Sequence, residues 1–127
     1  MLIATARDKA ASAYVGDGSN RWPSVHRLDA ATLFRLALES AAGGTRLHAV
    51  AEQGIPFRDI VDAIGRKLGL PVVSIAIDQA PGHFGPLASL VTLDSPVSSS
   101  LTKQRFRWEP VHPGLIADIE QGDYFTP

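Results

Sequence analysis

The sequence has no cysteine, no long apolar run and almost no net charge. Without cysteine, disulfide bonds, thiolate catalysis and cysteine-based zinc sites are excluded. No apolar stretch reaches the roughly 18 residues that a membrane-spanning helix needs. The apolar start, residues 1–6, is too short for a secretory signal before Arg7-Asp8-Lys9 interrupts it. We therefore expect a cytoplasmic location by default.

The charge balance bears on the kinds of partner that the chain can have. It contains 12 basic and 13 acidic residues, which leave a net charge of −1. Proteins that bind nucleic acid or an anionic membrane surface carry a basic patch, and this chain has no such excess. We expect no nucleic acid and no membrane among its partners.

Helical and strand patterns alternate along the chain, which predicts one α/β domain over residues 1–127 with parallel strands joined by crossovers. Asp29 is placed to cap the longest helix, whose predicted core-facing residues are Ala30, Leu33, Phe34, Ala37, Leu38 and Ala41. The predicted helices cover residues 2–11, 30–42, 57–68, 101–106 and 114–121, with short helical pieces after residue 78. The predicted strands cover residues 13–15, 25–28, 46–51 and 72–77, with a hairpin turn at Gly16-Asp17-Gly18 and both faces of the last strand covered.

Four histidines invite a metal hypothesis: His26, His48, His83 and His112. No two of them lie at i, i+3 or i, i+4 spacing, so their spacing does not favour a metal site. We expect His26 and His48 to be half-buried structural residues, and His83 and His112 to be exposed. The Gly-x-Ser-x-Gly turn of serine hydrolases does not occur either, and no catalytic residue is predicted.

Three segments carry a resemblance to a known family. They read W-P-S-V-H-R-L-D-A-A at residues 22–31, H-A-V-A-E-Q-G-I-P-F-R-D-I-V-D-A-I-G-R-K-L-G-L at residues 48–70, and L-T-K-Q-R-F-R-W-E-P at residues 101–110. Together they resemble the C-terminal half of the extended short-chain dehydrogenase/reductases, the NAD(P)-dependent epimerase/dehydratase family. The third segment usually reads Leu-Gly-Trp-x-Pro in that family. Arg107 stands where the family has a glycine, the residue that commonly supplies a left-handed helix cap.

The resemblance implies an α/β fold that is the C-terminal, substrate-side portion of a Rossmann-like fold and lacks the N-terminal dinucleotide-binding half. The family's glycine-rich phosphate turn and its Tyr-x-x-x-Lys pair are both absent from this sequence. The nearest match, Gly16-Asp17-Gly18, has no third glycine and leads into Trp22-Pro23 instead of a helix. We expect no cofactor-binding residue in this chain; NAD or NADP is implied only for the full-length relative.

Arg21 and Trp22 are the candidate substrate-binding residues. The resemblance implies an arginine just before the strand that leads to the His-x-x-Asp helix start, where it contacts the phosphate of the substrate. A planar guanidinium suits such a two-pronged contact. Counted from His26 and Asp29, Trp22 occupies the expected position and Arg21 lies one residue earlier. The alternatives are an exposed loop arginine and a tryptophan that covers the end of the sheet.

The implied function is that of a substrate-binding portion of an NAD(P)-dependent oxidoreductase or epimerase, inactive alone, whose parent acts on a sugar-like or small carbonyl substrate. The alternative is a standalone, non-catalytic dimerising or binding module with the same half-fold. In either case the apolar helix faces would lack the sheet on which they pack. We therefore expect a homo-oligomer or a missing N-terminal half.

Overall fold

The computed structural model describes residues 1–126, which form a mixed α/β arrangement as predicted. The helices are α1 Leu2–Lys9, α2 Arg27–Ser40, α3 Phe57–Leu68, α4 Ala80–Phe84, α5 Ala88–Val91, α6 Ser100–Phe106 and α7 Leu115–Gln121. The strands are β1 Ser12–Val15, β2 Arg21–Ser24, β3 Glu52–Pro56 and β4 Val72–Ile75. No helix in this part of the chain is long and apolar enough to cross a membrane.

Helix α3 lies at the centre of the main core. One side of it is buried, through Phe57, Ile60, Val61, Ala63 and Ile64. The helix begins directly after Pro56 and ends at Gly69, whose φ of 64° is left-handed, as the sequence predicts. Gly65 allows β4 to approach closely, because an added Cβ would lie 2.5 Å from Cγ2 of Val72. This helix therefore fixes the position of β4.

The four strands form two separate two-stranded sheets. Strands β1 and β4 pair in parallel, with Ser12 opposite Val72, which confirms one parallel pairing. Strands β2 and β3 pair antiparallel, with Trp22 opposite Ile55. The predicted hairpin between the first two strands is wrong, because β1 and β2 belong to different sheets. The positive φ angles at Gly16 and Gly18 instead let the chain turn from one sheet to the other.

The predicted strand over residues 25–28 is also wrong. The strand ends at Ser24, and α2 begins at Arg27 with His26 as its N-cap residue. The Nδ1 atom of His26 accepts a hydrogen bond from the backbone N–H of Leu28 at 3.2 Å. The sequence analysis placed the cap at Asp29, because aspartate is a much more usual residue type than histidine at a helix N-cap.

Residues 46–51 do not form the predicted strand, since strand β3 begins only at Glu52. A strand requires a neighbouring strand, and none lies beside this segment among residues 1–126. The predicted strand over residues 72–77 is shortened for a related reason. Within residues 1–126 strand β4 pairs with β1 alone. Val72 in the strand and Ile77 just beyond it are 37% and 70% exposed, so the prediction that both faces of this segment are covered is wrong.

Helix α2 buries only part of the face that the sequence predicted. Leu33 is buried at 2% exposure and packs with Leu36 and Ala41, whereas Phe34 and Leu38 are 66% and 88% exposed. The prediction that Phe34 and Leu38 face the core is therefore wrong for this chain. These two side chains form an apolar surface with no covering segment in the described residues.

The C-terminal helices agree with the predicted bounds to within a residue. Ser99 is the N-cap residue of α6, but its hydroxyl donates a hydrogen bond to the carbonyl of Val50 instead of capping the helix. Arg107 ends α6 in the left-handed conformation, with φ 49° and ψ 37°. Arg107 therefore adopts the left-handed cap conformation that a glycine usually provides at this point.

Arg107→Gly should stabilise the protein. A residue with a Cβ strains the backbone in the left-handed region, and glycine does not, so we expect a gain of about 1 kcal/mol in the free energy of unfolding. Urea denaturation measures it. The control is Arg105→Gly, which removes a nearby arginine from within α6 and should cost about 0.5–1 kcal/mol. Equal effects of the two substitutions would contradict the strain argument.

Candidate functional site

Arg21 begins strand β2, and its guanidinium already has a partner. Its Nε and Nη2 atoms donate to the two carboxylate oxygens of Asp94 at 3.0 and 2.9 Å, and its backbone N–H donates to the same carboxylate at 2.7 Å. The side chains are about half exposed, at 48% and 47%. These hydrogen bonds raise the pKa of Arg21 and, together with the positive charge, lower the pKa of Asp94. The two-pronged contact predicted for a substrate is made here by Asp94.

Trp22 has different surroundings. Its ring lies against Phe57, with the ring centres 4.8 Å apart and the planes tilted by 52°. It lines a cavity of about 360 Å³ whose other walls come from Met1, α1, α3, α7 and Tyr124. Arg21 is not among the residues that line this cavity. The two candidate residues are adjacent in sequence, but each has a separate set of contacts.

Asp29 is a buried polar residue near this region, only 2% exposed. Its Oδ1 accepts from the backbone N–H of Val111 at 3.0 Å and from Nδ1 of His112 at 2.7 Å, and its Oδ2 accepts from the backbone N–H of His112 at 3.0 Å. The prediction that Asp29 caps its own helix is therefore wrong. The carboxylate anchors a segment 82 residues further along the chain.

The pKa of Asp29 reflects two opposing effects. Burial alone would raise it, because a charged carboxylate loses hydration. The hydrogen bond from the His112 ring and those from the two backbone N–H groups act in the other direction, and they lower the pKa below its ordinary value. Asp29 is therefore ionised in the folded protein at neutral pH.

His26 and His112 are stacked, with ring centres 4.7 Å apart and planes within 10°. Because a carboxylate only accepts, its bond to Nδ1 places the proton of a neutral His112 ring on that nitrogen and leaves Nε2 as an acceptor. His26 is half-buried as predicted. His48 is exposed, whereas His83 and His112 are half-buried. The exposure predictions for these three histidines are therefore wrong.

A second cavity, of about 520 Å³, lies beside the stacked histidines. Glu52, Lys103 and Glu109 contribute charged side chains to its wall. The Oε2 atom of Glu52 is already bonded to the Ser24 hydroxyl and to the backbone N–H of Leu115, each at 2.7 Å. No group of three or more potential ligands in residues 1–126 is arranged to hold a metal ion. The cavity offers hydrogen-bond acceptors for a polar ligand.

Asp118 and Tyr124 lie next to the histidine pair. Asp118 Oδ1 is 3.7 Å from Nε2 of His26, and its other oxygen accepts a hydrogen bond from the Tyr124 hydroxyl. That hydrogen bond, with lesser contributions from burial and the negative charge, raises the pKa of Tyr124. The tyrosine therefore keeps its proton at neutral pH.

Three of the residues that define this region escaped the sequence analysis: Asp94, Glu52 and Asp118. Each contacts a partner at least 28 residues away, as in the 73-residue separation between Arg21 and Asp94. A single sequence contains no periodic signal for such pairs. A partly buried carboxylate is identified as a partner only once the fold is known.

Comparison with known proteins finds relatives in two yeasts. The chain is 50% identical to the Schizosaccharomyces pombe "Uncharacterized protein C2A9.02" over 98% of its own length and 42% of that protein. It is also 50% identical to the Saccharomyces cerevisiae "Uncharacterized protein YLL056C", over 94% of its own length and 40% of that protein. No protein-family model matches the chain, and no solved structure does. The chain spans about two fifths of the length of these relatives.

Asp29→Asn should destabilise the fold by about 2–4 kcal/mol, because the amide cannot accept all three hydrogen bonds and one donor is left buried and unpaired. Glu39→Gln is the control, since Glu39 forms an exposed pair with Arg35 and should cost less than about 1 kcal/mol. Thermal denaturation compares them. Similar losses in the two variants would contradict the anchoring role.

The lowered pKa of Asp29 predicts that the free energy of unfolding depends on pH. The folded pKa of Asp29 is lowered, so its contribution to stability is fully present above the unfolded value of about 3.9 and is lost as the pH falls through the folded value. Urea denaturation between pH 7 and pH 3 should show a smaller loss for Asp29→Asn than for the unsubstituted protein. Parallel pH profiles would contradict this assignment.

Proposed function

We propose that this chain is the C-terminal, substrate-side portion of an NAD(P)-dependent oxidoreductase or epimerase that resembles the extended short-chain dehydrogenase/reductases. In this proposal its α/β fold is part of a larger Rossmann-like fold. The parent transfers hydride to or from a sugar-like or small carbonyl substrate, and the chain alone is inactive. A cytoplasmic location stays a prediction.

One observation carries this proposal: the two segments that best match the family are in contact. The indole N–H of Trp108 donates to the backbone carbonyl of Asp29 at 2.9 Å. Trp108 belongs to R-W-E-P, residues 107–110, and Asp29 to V-H-R-L-D-A-A, residues 25–31. The Asp29 carboxylate in turn accepts a hydrogen bond from the backbone N–H of Val111, the residue after this motif. The shared motif residues thus form one structural unit, which supports a common fold.

The strand arrangement supports a larger parent protein. Parallel sheets are normally covered on both faces and have several strands, and β1 and β4 here form an isolated parallel pair. The yeast relatives are more than twice as long as the matching region. Further strands and the dinucleotide-binding half would then come from the part of the parent that this chain does not contain.

The cofactor assignment can be tested with a chimera in which this chain replaces the matching segment of the fission yeast relative. We expect the chimera and the intact relative to bind NAD or NADP and to reduce a carbonyl substrate. The isolated chain should bind neither cofactor, because it has no glycine-rich phosphate turn. Calorimetry and the absorbance of reduced cofactor measure both properties. Tight cofactor binding by the isolated chain, or none by the intact relative, would refute the proposal.

Arg21 and Trp22 are proposed as substrate-side residues, and Asp94 provides a matched control for Arg21. For an acidic substrate, Arg21→Ala in the chimera should raise KM about ten- to hundredfold, since a charged two-pronged contact is lost. Arg21→Lys should recover part of this loss, and Asp94→Asn, which frees the guanidinium, should not raise KM. Equal losses of stability in the alanine and asparagine variants, without a KM change, would make the pair structural.

The alternative, a non-catalytic dimerising module, is favoured by one observation, the exposed apolar surface of Phe34 and Leu38 on α2. In the enzyme proposal another part of the parent covers this surface. In the alternative a second copy of the chain covers it. An intact relative that forms dimers but neither binds nor turns over cofactor would favour the alternative.

A further inference from the structure

We infer that residues 46–51, together with the flank of α2 that carries Phe34 and Leu38, form a docking surface for the remaining part of the parent protein. Its occupant is an edge strand of a sheet in that part, paired with the backbone of residues 46–49. This inference rests on the proposed function only in that the chain belongs to a longer protein. It assigns a partner to a segment that the sequence predicts as a strand and that has no strand beside it among residues 1–126.

The backbone of this segment has one bonded edge and one free edge. The N–H of His48 donates to the Thr102 hydroxyl at 3.0 Å, and its carbonyl accepts from the N–H of Val50 at 2.9 Å. Among the described residues, the N–H and C=O groups of Leu47 and Ala49 have no hydrogen-bond partner. Successive residues of an extended chain direct these groups to opposite edges, so residues 48 and 50 use the edge beside α6 and residues 47 and 49 leave the other edge free.

The side chains of the segment alternate as well. Leu47 and Ala49 are half-buried and pack on a small second core, whereas Arg46 and His48 are exposed. The buried residues of this second core are Leu33, Phe106 and Trp108. A period of two is that of a strand with one packed face. The side chains thus hold the segment in place, and its free row of N–H and C=O groups is a template for a further strand.

Helix α2 contributes an uncovered apolar flank next to the same core. At about 100° per residue, Phe34 and Leu38 lie about 100° and 140° around the helix from the buried Leu33. Ala37 and Ala41 lie between them and Leu33, so the apolar stripe is continuous. Phe34 and Leu38 are nevertheless 66% and 88% exposed. The apolar stripe of α2 is therefore wider than the part that the described residues bury.

The yeast relatives indicate what covers this surface. The fission yeast relative is 50% identical over 98% of this chain, yet the match covers 42% of that protein. More than half of the relative therefore lies outside the match and is covalently joined to it. A strand edge in that part would satisfy the free backbone groups by strand addition. A covalently joined partner also has a higher effective concentration than a second copy of the chain.

Amide hydrogen exchange tests the pairing in the isolated chain and in the chimera described above. In the isolated chain the amides of Leu47 and Ala49 should exchange rapidly, because they have no acceptor. In the chimera they should exchange about a hundredfold or more slowly. The amide of Gly43, in an exposed loop, should exchange rapidly in both proteins. The intact fission yeast relative, measured at its aligned positions, should show the same protection. Rapid exchange there and in the chimera would overturn the inference.

A pair of proline variants tests the same edge by stability. Ala49→Pro removes a free donor and should lower the Tm of the chimera by about 4 °C or more, but that of the isolated chain by less than about 2 °C. Gly43→Pro is the control, because Gly43 precedes Gly44, whose φ is 80°, in a turn closed by a 3.1 Å bond from Thr45 to Ala42. Such a turn accepts proline at this position, so both proteins should change by less than about 2 °C. Equal losses on Ala49→Pro in the two proteins would contradict the pairing.

The flank of α2 has its own matched pair of variants. Leu38→Gln should lower the Tm of the chimera by about 4 °C or more, because a polar group is then placed in an apolar contact. In the isolated chain, where Leu38 is 88% exposed, the change should be less than about 2 °C. Glu39→Gln, on the adjacent polar side of the helix, should change either protein by less than about 2 °C. A chimera that tolerates Leu38→Gln as well as Glu39→Gln would remove this flank from the docking surface.

The outcomes are separable from those for the cofactor. Cofactor turnover by a chimera whose Leu47 and Ala49 amides exchange rapidly would support the proposed function and refute this inference. Protection of those amides in a chimera that binds no cofactor would refute the proposed function and leave the docking surface. A dimer of the isolated chain in which the same amides are protected would make a second copy the occupant and overturn the choice made here.

Discussion

The rest of the structure depends on the buried carboxylate of Asp29. It is ionised and almost inaccessible, and a charge in that position is tolerated only when it is fully hydrogen-bonded. Its three bonds come from Val111 and His112, so the N-terminal turn of α2 and the chain after α6 must meet. The Trp108 indole adds a fourth bond, to the backbone of the same residue.

This anchor determines the position of both candidate ligand regions. It holds His112 against His26, which forms one wall of the polar cavity. The same segment leads into α7, whose Leu115 and Ile119 complete the apolar cavity beside Trp22. Glu52 reinforces the connection, because it binds the backbone N–H of Leu115 and the Ser24 hydroxyl at the end of β2. Two carboxylates thus attach the C-terminal segment to the β2–β3 sheet and α2.

The sequence predicted correctly those helices that are defined by neighbouring residues, such as capping residues and a regular apolar face. The bounds predicted for α3, residues 57–68, are the observed ones, because Pro56 before it, Gly69 after it and a regular apolar face define the helix. The predictions failed where the cause was distant. Residues 46–51 lack a neighbouring strand among residues 1–126, and on α2 the half-buried Leu36, rather than Phe34, packs against the core with Leu33. Asp29 was read as a cap for the same reason, since its partners lie 82 residues away.

The long-range bonds of Asp29 also couple the first turn of α2 to the C-terminal segment. Without residues 108–112 the Asp29 carboxylate would lack its three protein donors, and burial of that charge without them costs several kcal/mol. That cost exceeds what the capped N-terminus of α2 contributes, about 1 kcal/mol. The C-terminal segment therefore stabilises the first turn of α2 in its native position, and the same segment contributes walls to both cavities.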